Sequence, residues 1–82
     1  MYSCYIIFSE KLNKFYVGHT ENILQRLMQH NNGISEFTSK ANDWILVYEE
    51  KFIDRKNAFD REREIKKKKS RKYIEWLISS KK

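Results

Sequence analysis

An 82-residue chain with 17 basic and 11 acidic side chains, a net charge of +6, two glycines, one cysteine and no proline has room for one domain, 1–82, and not for two. The lone Cys4 excludes an internal disulfide framework, and no apolar run approaches the about 20 residues of a membrane-spanning helix. At 40% hydrophobic and 15% aromatic content the chain can build a core, and its start lacks the basic region and long apolar stretch of a secretory signal, so a small soluble domain of a reducing, cytoplasmic compartment is expected.

Tyr2 to Phe8 is uncharged, aromatic and β-branched, and reads as a strand buried on at least one face. A short polar stretch separates it from Phe15-Tyr16-Val17-Gly18, which resumes the strand pattern and predicts a hairpin closed by Gly18, a residue that tolerates backbone angles or close approaches a side chain would forbid. Thr20 is the expected N-cap of a helix reaching about Asn31, with Ile23, Leu24, Leu27 and Met28 as its buried stripe. Asn22, Arg26 and His30, four apart, lie along another line of that helix. The thirteen residues from Asn31 to Asp43 are long for a connection in a compact domain and mark a functional loop.

Trp44-Ile45-Leu46-Val47-Tyr48 is the third strand, extending toward Phe52. Asp54 caps a second helix through Ala58, Phe59, Glu62 and Ile65, and Ser70 breaks or re-caps it before a last helix ending near Ser79. Tyr73, Ile74, Trp76, Leu77 and Ile78 on that helix are assigned to the core. The order is β-β-α-β-α-α, an α+β fold.

Charge is unevenly placed. Residues 1–50 carry 4 basic and 6 acidic side chains (−2), and residues 51–82 carry 13 and 5 (+8). Lys66, Lys67, Lys68, Lys69, Arg71 and Lys72 fill six of seven consecutive positions. Such a tract suits a polyanion, because each neutralised phosphate releases counterions; a solvated helix end that only keeps the protein soluble fits the same residues. Taken singly, the strand tyrosines Tyr5 and Tyr16 read as packing residues, Arg26 and His30 as a helix face, and Glu62 as an ion-pair partner for neighbouring bases.

Together they form a pattern. Ser3-Cys4-Tyr5, then Phe15-Tyr16-Val17-Gly18-His19-Thr20, then Arg26-Leu27-Met28-Gln29-His30-Asn31, followed by Thr38, Trp44 to Tyr48, and Ala58, Glu62, Ile65 and Lys66, resemble the GIY-YIG nuclease family over essentially the whole chain. The likeness is to the short single-domain type, similar to the N-terminal nuclease domain of the excision-repair incision subunit. It implies a three-stranded antiparallel sheet flanked by helices, with the active site on one sheet face. It also implies hydrolysis of DNA phosphodiester bonds with one divalent metal ion, magnesium or alternatively manganese, in a structure-directed or weakly specific endonuclease of repair or recombination. Matched position by position, Tyr5, Tyr16, Arg26, His30 and Glu62 become the catalytic residues, with Glu62 the metal ligand. The basic tract then tracks a nucleic-acid backbone (DNA, with RNA left open), and a protein partner is a candidate for targeting. The alternative is a catalytically weak nucleic-acid-binding module on the same scaffold.

The residue types suit that chemistry independently. Magnesium keeps several waters, so one carboxylate can suffice to hold it. Arg26 offers a planar, always-charged fork for phosphate oxygens. Tyr5, with an ordinary pKa of about 10, serves as a base only if a neighbouring cation or metal-bound water lowers that value or takes the proton onward. His30 can accept a proton or donate to a phosphate, according to its charge. Departures from the family pattern are Ser3-Cys4 for glycine-isoleucine, Val17 for isoleucine, His19 where some members have lysine, and the absence of any asparagine after Asn57. His19 is read as a solvated turn residue, and Cys4 as a small buried one.

Overall fold

The computed structural model describes residues 1–34 and 37–80. The elements are β1 (Tyr2–Ser9), β2 (Lys14–Thr20), α1 (Ile23–Asn31), a 3-10 turn (Thr38–Lys40), β3 (Ile45–Phe52), α2 (Arg55–Lys68) and α3 (Arg71–Ser80). The three strands form one antiparallel sheet in the order β2-β1-β3. The uncharged β1 therefore takes the centre, buried on both faces, and β2 and β3 are its edges. Asn13, with φ of 54°, closes the β1–β2 turn in the left-handed region that asparagine tolerates.

Alternation along β1 builds two cores. Cys4 and Ile6 face α2 and α3, packing with Val17, Tyr48, Ile65 and Leu77. Tyr5 and Ile7 face α1 and the long loop, packing with Ala41, Trp44, Tyr16, Ile23 and Leu27. The helices have identifiable limits. Asn22, not Thr20, is the N-cap of α1, its side chain accepting the Gln25 amide, while the Thr20 hydroxyl turns to the Asn22 backbone. Asp54 caps α2 as expected, and Ser70 accepts the Tyr73 amide at the start of α3. Between them Lys69, with φ of 48°, ends α2 in the left-handed conformation.

Two assignments of buried residues need correction. Leu24 and Met28 are 73% and 64% exposed, because the buried line of the nine-residue α1 runs through Ile23, Leu27 and His30 instead. Trp76 also lies largely outside the core, which α2 and α3 reach through Ala58, Ile65 and Leu77. Among the described residues, no helix is long and apolar enough to cross a membrane.

Candidate functional site

Tyr5 stands at the centre of β1, and its hydroxyl lies 2.7 Å from Nε2 of His30 on α1. The other ring nitrogen, Nδ1, is 2.7 Å from the Thr38 hydroxyl. All three residues are essentially buried. The long loop is fastened so that Thr38 arrives there. Asn31 brackets the Trp44 backbone, the Trp44 indole N–H donates to the Thr38 carbonyl, and Asp43 accepts from Ser9 and the Lys11 amide. Those bonds hold the Asp43 carboxyl below its ordinary pKa.

Burial dominates the electrostatics of this chain of groups. It pushes the Tyr5 phenol up to about 12, with a hydrogen bond from Arg26 pulling the other way and the nearby Glu62 charge adding to the rise. It pushes His30 down to about 4, helped by the Arg26 charge. Arg26 is thus the neighbouring cation that favours the Tyr5 phenolate, and burial outweighs it. His30 is neutral at pH 7, with one N–H and one lone pair for its two hydroxyl partners.

Opposite Tyr5 in the sheet is Gly18, and a Cβ built there would lie 2.6 Å from the Tyr5 hydroxyl oxygen. The glycine is thus required by a close approach. Tyr16, one pleat away on the same face, packs edge-on to His30 with centroids 5.0 Å apart and lies 6.5 Å from the Tyr5 ring. Arg26 is half-buried, and its Nη1 donates to Gln29.

Glu62 comes from α2, on the other sheet face. Its Oε1 is 2.6 Å from His19 Nδ1, and its Oε2 accepts from Lys66 Nζ at 2.6 Å. Lys66 Nζ also lies 5.6 Å from the Tyr16 ring centroid. His19 and Arg26 line one polar cleft of about 740 Å³ with Arg55. The five candidate residues accordingly do not share one sheet face. They wrap around the β2 edge, with Tyr5, Tyr16, Arg26 and His30 on one side and Glu62 on the other, linked by His19 and Lys66.

His19, read as a turn residue, is thus part of the cluster, and its placement was recoverable from strand alternation, which sends Val17 and His19 together toward α2. No group of three or more potential metal-ligating side chains occurs among the described residues. One carboxylate fits a hard cation that retains its waters, such as magnesium, provided Lys66 yields its Glu62 oxygen. Of the basic tract, Lys66 is committed to Glu62, Lys68 lies over the Tyr73 ring, and Arg71 donates to the backbone and side-chain oxygens of Asn13 at 2.8 Å each. Lys67, Lys69 and Lys72 are exposed. Cys4 is fully buried, and burial pushes its thiol up to about 12.

Residues 1–74 match the GIY-YIG catalytic domain family. The chain is also 39% identical over 57 residues to a UPF0213 protein of Staphylococcus haemolyticus, an alignment covering 68% of this chain and 70% of that protein. No solved structure matches.

Proposed function

The chain belongs to the GIY-YIG family, a nuclease-type family whose substrate is nucleic acid, and from that premise we propose that it is a metal-dependent DNA endonuclease acting on branched, flapped or damaged DNA. The observation that supports this best is the convergence at the β2 edge of a guanidinium, a half-buried phenol and a nearly enclosed carboxylate, framed by the Tyr5–His30 bond of 2.7 Å.

Arg26 binds the non-bridging phosphate oxygens from the polar cleft, and Tyr16 orients the attacking water. Tyr5 and His30, too buried to touch substrate, are positioning residues: they fix each other and the strand against which Arg26 and Tyr16 are set. Glu62 would hold a divalent ion through the oxygen now shared with Lys66, whose ammonium would then be available to a phosphate. When bound, that ion acidifies water and neutralises charge on the phosphate. Lys67, Lys69 and Lys72 follow the backbone without reading bases, which leaves sequence choice weak and targeting to a partner. A free thiol suits the reducing interior of a cell.

The second reading, a binding module without turnover, is favoured by one observation: both Glu62 oxygens are already engaged by His19 and Lys66. Incubation with supercoiled and branched DNA decides between them. The endonuclease nicks with Mg²⁺ and not with EDTA, Glu62→Gln is inactive, and Arg26→Ala loses roughly 10²–10³-fold in rate without a change in melting. Salt-sensitive binding with no nicking under any condition selects the module.

A further inference from the structure

A groove of about 480 Å³ runs between edge strand β2 and the α2–α3 junction. Phe15 and Tyr16 from β2, Ile65 and Ile74 from the helices, and Phe37 from the long loop give it an apolar lining. Phe37 is 51% exposed and belongs to neither core, yet its ring rests 5.4 Å from that of Tyr16. A large aromatic side chain is thus held at the surface by another aromatic that belongs to the candidate site.

Among the described residues that line the groove, every charged one is basic. Arg71 is tied to Asn13 and Lys66 to Glu62, while Lys14 and Lys69 are exposed. A simple anion has no use for the aromatic lining, and an apolar peptide has none for the cationic frame. A nucleotide uses both, since its base stacks on an exposed ring and its phosphate meets the lysines. A paired base cannot do this, because both its faces are covered by its neighbours in the duplex.

We infer that the groove seats one unstacked nucleotide of a single-stranded or splayed segment, its base against Phe37 and its phosphates toward Lys14 and Lys69. The groove shares Tyr16 and Lys66 with the candidate site, so the seated nucleotide lies next to the bond to be cut. The inference deepens the endonuclease reading and rests on it for the cut, though not for the seating of the base.

The test uses a short oligothymidine carrying one 2-aminopurine, alone and as a blunt duplex, titrated with the protein in EDTA so that no cleavage is needed. The expected result is tighter binding of the single strand with a change in 2-aminopurine emission. Phe37→Ala and Phe37→Leu should weaken single-strand binding by roughly 5- to 150-fold, leave duplex binding unaltered and keep the wild-type melt, while Phe37→Tyr retains affinity. Equal affinity for both forms, no binding, or unchanged single-strand affinity in Phe37→Ala and Phe37→Leu overturns the inference. So does a dimer that Phe37→Ala dissociates, since a second copy would then fill the groove. Nicking in Mg²⁺ without strand discrimination sinks the groove alone, and discrimination without nicking sinks the nuclease reading alone.

Discussion

Gly18 carries the tightest steric demand at the site. The Tyr5 hydroxyl is wedged between His30 and the Gly18 backbone, so a methyl at position 18 would meet Oη at 2.6 Å and Cζ at 2.8 Å. The phenol has no room to retreat without breaking its bond to the histidine. Gly18→Ala should therefore cost about 1–3 kcal/mol in chemical denaturation, as overpacking does, and should abolish nicking. Adding Tyr5→Phe should recover part of that stability by removing the closest contact. At this scale the sequence was informative about identity but not about burial. Tyr5, Tyr16, Arg26, His30 and Glu62 could be named from pattern, yet the depth of His30 depends on which line of α1 meets the sheet. His19 was assigned to a solvated turn because a histidine following a glycine reads that way, until strand pairing carries β2 on to Thr20.

The secondary elements show why some assignments followed directly and others did not. The burial of β1 was legible from composition as a strand buried on at least one face, and the sheet order β2-β1-β3 extends that, since a chargeless segment suits the centre of a sheet covered on both faces. Helix burial was less legible: Ile23-Leu24 and Leu27-Met28 are adjacent apolar pairs, and a short helix buries one member of each. The basic tract divides along similar lines. Arg71 lashes the start of α3 to the β1–β2 turn through two bonds to Asn13, and its guanidinium lies 5.0 Å from the Phe15 ring centroid. Arg71→Ala should lower the melting temperature, by an amount equivalent to about 1 kcal/mol. Lys67→Ala, on an exposed position, should leave the melt unchanged. Equal melts for the two variants would return Arg71 to the general pool of surface charge.

Across the whole molecule, stability should carry the signature of a histidine sealed between sheet and helix. His30 has an ordinary pKa of 6.5 and is held at about 4 when folded, so between those values the unfolded chain binds the extra proton. The contribution is complete above pH 6.5 and is lost as pH falls toward 4, on the order of 2 kcal/mol by pH 5. Denaturation midpoints should fall over that interval in wild type, and the fall should be shallower in His30→Gln, whatever that variant's stability at pH 7. At the same scale, both sheet faces are covered by helices and loop, and the candidate residues gather at the β2 edge. The single thiol also lies at the midpoint of that sandwich, in the central strand. A disulfide reagent can reach Cys4 only when β1 is laid open, so its labelling rate counts global unfolding events and makes the chain its own conformational clock without an engineered probe.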